Sequence, residues 1–523
     1  MSPPRAATQT LWQATCRIAE RPPLAEDTDV DVCVIGAGIA GMSTAYLLAV
    51  QGASVVVLDD GPIGGGMTSH TTAHLTDALD DRYYELARLH GAAGARLAAE
   101  SHRAAIACIE DIVRDEAIEC DFARVPGYLF VPVGDSTADL DREFDAAGRA
   151  GLSVRRLPAT PGAKRLGPCI DFPDQGQFHP LRYLDGLATA IERCGGRIHC
   201  ATHATSIENK DRVEVRTQSG RKVTSGSVVV ATNVPINDRL AIHTKQAPYT
   251  TYVIALAMPR DMVEPALWWD TRESVSQGQS GDAPYHYVRT MRGRADDFLI
   301  VGGEDHKTGQ ADDADARFIE LESWARVRWP DAREVRFRWS GQVMEPIDGL
   351  AFIGRNPGDK DIYIVTGDSG NGMTHGTIAG MLLSDLIGGR TNPWTDLYDP
   401  SRKRLSAISD FAKENLNVAA QYVKDYAGPA DIGQAESLEP GEGGIVRRGV
   451  KRHAVYRDDA GTLHEFSAVC PHLGCVVHWN PAERTFDCPC HGSKFDCAGK
   501  VVNGPANTDL APVSAEVESS PSS

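Results

Sequence analysis

Four cysteines and two histidines stand close together near the carboxyl end of the chain, in "CPHLGC" (470–475) and "CPCHGS" (488–493). Thiolate and imidazole groups are the ligands that zinc and iron–sulfur clusters take, and two cysteines can also form a disulfide. The spacing is Cys-x-His-x-x-Cys, then twelve residues, then Cys-x-Cys-His. The pattern leaves three kinds of site to weigh: a zinc site, a disulfide staple or an electron-transfer centre.

The residue types favour the electron-transfer centre. A structural zinc site takes four ligands, usually as two Cys-x-x-Cys-like pairs or as a Cys₂His₂ set. The six candidate ligands exceed that number, and a zinc site does not explain the Gly-Ser pair that follows His491. A plain disulfide scaffold does not explain why each half of the motif contains a histidine.

Both half-motifs resemble those of the Rieske [2Fe–2S] proteins, specifically the cytochrome bc type with its additional cysteine pair. The resemblance implies that Cys470 and Cys488 hold the buried iron and that His472 and His491 hold the outer iron. A neutral histidine replaces a negative cysteinate at the outer iron, so the oxidised cluster accepts an electron more readily.

Further roles follow from the same resemblance. Cys475 and Cys490 match the pair that forms a disulfide between the two cluster loops. Ser493 matches the residue whose hydroxyl hydrogen-bonds a bridging sulfide, and "NGPA" at 503–506 matches the proline loop that covers the cluster. Cys497, which follows the motif, is interpreted as a packed thiol.

A second motif, "GAGIAG", places glycines at 36, 38 and 41 near the amino end. A short apolar strand precedes it, a helix follows it, and Asp59 ends the next strand, which is the context of a dinucleotide-binding βαβ unit. Gly36 makes the tight turn, Gly38 lets the backbone approach a pyrophosphate, and Gly41 lets helix and strand pack closely. Asp59 is predicted to accept hydrogen bonds from ribose hydroxyls.

The order of later motifs resembles that of the D-amino-acid oxidase and glycine oxidase superfamily of flavoproteins, over roughly residues 30 to 390. The carrying segments are "GPIGGGMTSHTTAHL" (61–75), "SVVVATNVP" (227–235) and "DGLAFIGR…IYIVTGDSGNGMTHGTIAG" (348–380). The resemblance implies FAD as cofactor, with a late helix N-terminus against the isoalloxazine ring. Besides the residues of the fingerprint, the implied FAD contacts are His70, Thr71, Ala231, Gly367, Asp368, Gly372 and Met373.

Catalytic candidates come from "GGEDHKTG" (302–309), which ends an apolar strand. A Glu304–His306 pair there could take a proton as hydride leaves the substrate. Amino-acid oxidases of the superfamily bind the substrate carboxylate through arginines at two positions, and this chain has Val343 and Gly370 there. A simple α-amino acid is therefore disfavoured as substrate.

The composition limits partners and location. The net charge of −18 disfavours nucleic-acid binding, because a polyanionic surface repels phosphates. No apolar run approaches the roughly 18 residues of a membrane span, and no export signal is visible at the start, so we expect a cytoplasmic protein without a membrane span.

The domain organisation follows from these motifs. We expect an α/β, Rossmann-like FAD-binding domain with a mixed-sheet substrate domain, followed by a small all-β Rieske domain. An apolar period predicts a helix over 403–426, and the Gly- and Pro-rich stretch after it predicts a linker. The predicted boundaries are 1–29 extension, 30–395 FAD domain, 396–443 helix and linker, 444–511 Rieske domain and 512–523 disordered tail.

The combination of the two centres predicts the function. A flavin takes two electrons from a substrate and a [2Fe–2S] cluster passes one at a time, an arrangement that resembles bacterial flavoproteins with a fused Rieske domain. We expect a dehydrogenase rather than an oxidase, acting between an amine-like small molecule and an electron acceptor or donor protein or a quinone. The alternative is a reductase component that serves a separate oxygenase, although the chain has no second dinucleotide fingerprint for NADH.

One departure from the Rieske pattern predicts the cluster's potential. High-potential members have a tyrosine where this chain has Phe495, and a phenylalanine has no hydroxyl to donate to a ligand sulfur. The substitution Phe495→Tyr should raise the midpoint potential, measured by redox titration of the EPR signal. A midpoint that stays unchanged in this variant would contradict the assignment.

Overall fold

The computed structural model describes residues 9–237, 242–272, 284–403, 432–449 and 451–513. Eight α-helices, α1 to α8 in chain order, are described: Leu11–Thr15, Ile39–Ala49, Tyr83–Asp115, Ala138–Arg149, Pro180–Arg193, Ala314–Arg328, Gly372–Ile387 and Thr395–Tyr398. None of the described helices is both long and apolar enough to cross a membrane.

The strands belong to four sheets. Those described, β1 to β24 in chain order, are Thr28–Ile35, Val55–Leu58, His74–Leu75, Ala123–Pro132, Arg155–Leu157, Leu166–Gln177, Arg197–His199, Ala204–Asn209, Val213–Thr217, Lys222–Val230, Gln246–Met258, Leu267–Asp270, His286–Met291, Asp297–Lys307, Val335–Pro346, Phe352–Arg355, Ile362–Thr366, Gly443–Arg448, Lys451–Arg457, Leu463–Ser467, His478–Asn480, Thr485–Asp487, Lys494–Asp496 and Val501–Asn503.

The first sheet has the order β16-β17-β10-β1-β2-β7. In addition, β9 pairs with the beginning of β10, and β8 pairs with β9. Strands β17, β10, β1, β2 and β7 run parallel. β2 is apolar and buried along its whole length, as expected for a strand covered on both faces. Helices α2 and α7 cross at small residues, since a Cβ on Gly376 would lie 2.7 Å from Ile39 and 3.1 Å from the Ala40 nitrogen.

The second sheet has nine strands in the order β15-β11-β14-β13-β12-β4-β6-β3, with β5 paired to β6. It is mixed, because β12 and β4 are parallel while the neighbouring pairs are antiparallel. The carboxyl end of the chain forms a three-stranded sheet (β18-β19-β20) and a four-stranded sheet (β21-β22-β23-β24) around its own apolar core. These three units confirm the predicted fold class.

Two of the predicted segments lie mostly or partly outside the described residues. The helix predicted over 403–426 lies outside the described residues apart from its first position, and so do residues 514–523 of the predicted tail. The extension predicted at 1–29 contains a structured part, because the short helix α1 begins with a capping box between Thr10 and Gln13 and buries Leu11 and Trp12.

Gly41 is where the fold tolerates no side chain. A Cβ there would lie 1.9 Å from the carbonyl oxygen of Gly36, which is backbone and cannot turn away. We expect Gly41→Ala to destabilise the domain by about 1–3 kcal/mol or more and to reduce bound flavin, measured by chemical unfolding and by flavin absorbance after desalting.

Gly148, inside α4, serves as the control, because a Cβ there has no atom within 4 Å. Gly148→Ala should leave stability unchanged or raise it by up to about 1 kcal/mol. Equal behaviour of the two variants would contradict the packing argument.

Candidate functional site

A cavity of about 1130 Å³ lies where the parallel strands of the first sheet end and the second sheet faces them. Ligands of open α/β sheets bind at this edge. The cavity lining includes Ile35, Leu58 and Thr366, which end β1, β2 and β17. Ten predicted FAD contacts line it: Gly36, Gly38, Asp59, His70, Thr71, Ala231, Gly367, Asp368, Gly372 and Met373.

Two helices begin at this cavity without a hydrogen bond from the side chain of their own N-cap residue. Gly38 precedes α2 and Asn371 precedes α7, and neither position has a side-chain hydrogen bond to the first turn. Unbonded N–H groups and the helix dipole favour negative charge there. The Thr68 hydroxyl accepts from the Ile39 N–H at 3.1 Å and holds the adjacent loop against α2. The residues therefore fit a pyrophosphate at α2 and the ring of a flavin at α7.

Asp59, predicted to accept hydrogen bonds from ribose hydroxyls, is bound to backbone N–H groups of the glycine turn and of the loop after β2. Its carboxylate accepts from the N–H of Ala37 at 2.6 Å and from that of Gly61 at 2.7 Å. Burial raises the pKa of Asp59 to about 7, against the lowering effect of these two N–H groups. The carboxylate thus ties β2 to the glycine turn and still lines the cavity.

The loop that contains His70 and Thr71 is held from two sides. The indole N–H of Trp339, in β15, donates to the His70 carbonyl at 2.8 Å, and that of Trp12 donates to the Thr71 carbonyl at 2.6 Å. Trp12 belongs to the amino-terminal extension, and the sequence analysis missed it. The available signal was the Thr10-x-x-Gln13 capping box, whose two middle residues are the apolar pair Leu11 and Trp12.

The cavity wall away from the glycine turn is acidic and aromatic. Tyr285 donates to Asp80 at 2.8 Å, and the Ser369 hydroxyl bonds both Asp81 and Glu345. Burial raises the pKa of Asp81 to about 7 and holds the pKa of Glu345 well above its usual range. Aromatic residues of the same wall are Tyr249, Trp269, Tyr285 and Tyr287.

The sequence analysis also missed these carboxylates. Asp80 and Asp81 stand in a loop that carries no recognised motif, and Glu345 ends a strand far along the chain. Among the described residues that line the cavity there is no arginine, and Lys500 is the one lysine. The wall therefore suits a cationic group better than a carboxylate.

The structure does not bring the predicted catalytic pair to the cavity. Glu304 and His306 are absent from its described lining, whereas Asp305 between them is part of it. The Glu304 carboxylate lies 3.5 Å from His286 Nε2, and the His306 ring stacks on Tyr252 at 5.6 Å. Asp305 therefore reaches the cavity, while the side chains before and after it contact other parts of the fold.

The two cysteine–histidine loops come together in the C-terminal domain. Cys488 hydrogen-bonds Cys470 and thereby lowers the pKa of the Cys470 thiol to about 7. The rings of His472 and His491 lie 5.0 Å apart, edge to face. His491 is 7% exposed, and its Nδ1 has no hydrogen-bond partner among the described residues. A hydrogen-bonded pair of thiols and a packed pair of imidazoles, one of them with a free nitrogen, fit the predicted ligand set of a [2Fe–2S] cluster.

The remaining cluster residues surround these four. Cys475 and Cys490 form a disulfide with an S–S distance of 2.02 Å. Their sulfurs and that of Cys488 lie within 4.8 Å of one another, so the disulfide stands directly beside a predicted ligand. The Ser493 hydroxyl bonds Cys470 and accepts from the Ala506 N–H at 3.0 Å, which fixes the 503–506 loop over the cysteines.

The histidine edge of this centre faces the FAD domain. His243, 2% exposed in the turn before β11, packs its ring edge to face with His472 at 4.8 Å and lies 6.1 Å from the His491 ring. Gln342, in β15, donates to the Gly492 carbonyl at 3.0 Å and accepts from Asn503 at 2.7 Å.

A buried ion pair adds to this junction. Lys494 and Glu483 of the C-terminal domain are 2.6 Å apart, and Ser340 of β15 donates to Glu483 at 2.8 Å. Neither His243 nor Gln342 carries a motif that sequence reasoning could have used.

Comparison with known proteins identifies a family for the FAD domain and another for the C-terminal domain. Residues 31–386 match the family "FAD dependent oxidoreductase", and residues 429–514 match "Rieske [2Fe-2S] domain". YhfW of Bacillus subtilis (strain 168), by name a Rieske 2Fe-2S iron–sulfur protein, is 32% identical over 508 residues, which cover 96% of this chain and 97% of that protein.

Other relatives match one part of the chain. Gamma-glutamylputrescine oxidoreductase of Escherichia coli (strain K12) is 27% identical over 379 residues, covering 70% of this chain and 85% of that protein. The solved glycine oxidase of Geobacillus kaustophilus superposes with a TM-score of 0.60 at 18% identity, over 72% of this chain and 99% of its own. That likeness concerns the fold. The chain belongs to the FAD-dependent oxidoreductases of the D-amino-acid oxidase type, with a Rieske [2Fe–2S] domain at its carboxyl end.

Proposed function

We propose that this protein is an FAD-dependent dehydrogenase of a cationic amine, and that its Rieske centre is the outlet for the electrons. One observation carries the proposal: Asn503, Gly504 and Ala506 line the FAD cavity while their loop is bonded to Ser493 beside the cysteines. When bound, FAD accepts two electrons from a C–N bond and the cluster carries them onward singly. The site residues predicted for both cofactors are part of this proposal.

The cavity wall supports an amine rather than an amino acid. Val343 and Gly370, which line the cavity, occupy the positions of the superfamily's carboxylate-binding arginines. Arg289 does not replace them, because its guanidinium donates to the carbonyls of Thr72, Ala73 and Phe178 at 2.8–3.1 Å. The name of gamma-glutamylputrescine oxidoreductase likewise describes an amine substrate for that relative.

The acidic wall has a second task in the proposal. An ammonium group must lose a proton before its carbon can give up a hydride. Asp81 and Glu345 share the Ser369 hydroxyl, and burial holds the pKa values of both carboxyls above their ordinary range. With a pKa raised to about 7, the Asp81 carboxylate can take up a proton near neutral pH, so Asp81, which shares the Ser369 hydroxyl with Glu345, is the proposed proton acceptor in place of Glu304 and His306.

The junction between the domains supports transfer inside the chain. Gln342 contributes to the cavity wall and at the same time binds the cluster loop through Gly492 and Asn503. His243 packs against both predicted histidine ligands. Both are positioning residues, because neither carries the reacting atoms. A carrier protein or a quinone outside the chain would then take the electrons.

The proposal is tested by anaerobic reduction with a panel of mono-, di- and polyamines and, separately, with NADH. We expect amines to bleach the flavin absorbance and then to produce the rhombic low-temperature EPR signal of a reduced Rieske centre. Cys488→Ala should keep the flavin response and lose the EPR signal, whereas Cys497→Ala should keep both. Reduction by NADH alone would instead support a reductase component for a separate oxygenase.

The acidic wall gives a separate prediction. Glu345→Gln removes a buried carboxyl group that can ionise against a bound ammonium group, and should raise KM for the amine about 10- to 100-fold, because charge-assisted contacts contribute about 1.5–3 kcal/mol. The exposed Asp331→Asn is the control and should leave KM unchanged. Steady-state kinetics with the best amine of the panel provides the measurement, and equal KM values for both variants would contradict a cationic substrate.

A further inference from the structure

We propose that the C-terminal domain completes the FAD-binding site. Residues 500–509 form one wall of the FAD cavity and close its Asp59 end. FAD therefore leaves the protein only after this wall has moved away. The proposal concerns how the cofactor is held and does not depend on the substrate.

Both domains contribute residues to the lining of the cavity. At its Asp59 end the FAD domain contributes Asp59, Asp60 and the 201–205 segment. The C-terminal domain contributes a run that is almost continuous. Its lining residues are Lys500, Val501, Val502, Asn503, Gly504, Ala506, Asn507, Thr508 and Asp509. A dinucleotide in this space would be enclosed by both domains.

Hydrogen bonds hold this wall near Asp59. The Asn507 side-chain amide donates to the carbonyls of Ala204 at 2.9 Å and Thr205 at 3.2 Å. The His203 ring bonds the Asn507 carbonyl at 3.2 Å and the Asp60 carboxylate at 3.4 Å. Asp60 directly follows Asp59, so the bonds of Asn507 reach the residue next to the predicted ribose contact.

The 500–509 segment is also bonded to the FAD domain at residues 503 and 504. Asn503 donates to Gln342 at 2.7 Å, and a Cβ on Gly504 would lie 3.2 Å from the Val234 carbonyl oxygen. The segment is therefore fastened at 503–504 and again at 507. Because the segment is bonded to the FAD domain at both places, it stays against the cavity along the stretch between them.

Charge supports the dinucleotide as the enclosed group. Lys500 is the one lysine among the described lining residues, and no arginine accompanies it. It comes from the C-terminal wall, and the N-terminus of α2 at Gly38 and Ile39 lines the same cavity. A pyrophosphate is the anionic part of FAD and is favoured by both.

Binding and docking must then be coupled in both directions. If docking of the C-terminal domain raises the affinity for FAD, bound FAD must stabilise the docked domain by the same free energy. A flavin-free protein should therefore show a looser contact between 500–509 and 201–205.

The release of FAD provides the first test. Asn507→Ala removes two amide hydrogen bonds and should accelerate release at least about fivefold, measured as the rise of free-flavin fluorescence after transfer of the holoprotein to FAD-free buffer. Asn356→Ala is the matched control, because this buried amide bonds Asp359 outside the cavity. Iron content and the rhombic EPR signal of both variants show whether the C-terminal domain remains folded.

The wild-type protein provides the second test. Hydrogen–deuterium exchange is compared between the holoprotein and the same protein after removal of FAD. We expect faster exchange at 500–509 and at 201–205 in the flavin-free form, with unchanged exchange in β18–β20. Release from Asn507→Ala within twofold of wild type, or exchange at 500–509 that does not respond to FAD, would overturn the proposal. Neither result depends on whether an amine is oxidised.

Discussion

The structure depends on one contact: the histidine edge of the C-terminal domain is buried against the FAD domain. His243 covers His472 and His491, and Gln342 binds the loop that follows them. An edge covered in this way cannot meet an external partner and the FAD domain at once. The chain therefore presents its cluster site to its own FAD cavity, and this arrangement gives the two centres a common wall.

The polar groups of this contact are buried, which makes the contact specific. Lys494 is 1% exposed and forms ion pairs with Glu483 at 2.6 Å and with Asp487 at 3.6 Å. Removing one partner of such a group leaves a buried charge without compensation, at a cost of about 3–5 kcal/mol. Because Ser340 of the FAD domain also bonds Glu483, the same network fixes the position of one domain on the other.

Roles that depend on local spacing are the ones that could be predicted from the sequence. The glycine turn, Cys470, His472, Cys488 and His491 each lie in a short motif whose geometry follows from neighbouring residues. Trp12, His243, Gln342 and Asn507 lie in no motif, because their roles arise from elements that are distant in the chain. The carboxylates Asp80, Asp81 and Glu345 meet only when two loops and a strand end converge.

The position of Glu304 and His306 outside the cavity lining has a different origin. In the pairing of β11 with β14, Thr250 faces His306 and Tyr252 faces Gly303, so Glu304 and Asp305 together oppose the single Thr251. This bulge, with Glu304 at φ +60°, changes which side chains reach the cavity. The alternation of side chains between the two faces of a strand can be predicted from the sequence. The position of a bulge cannot, because it depends on how the strand pairs with its neighbour.

The most direct test of the central claim is flash photoreduction of the flavin under anaerobic conditions, followed at the absorbance of the cluster over a range of protein concentrations. If the two centres share a wall within one chain, the cluster is reduced with a first-order rate constant that does not change with concentration. A rate that rises in proportion to protein concentration would mean that electrons pass between molecules, and the proposed arrangement would be wrong.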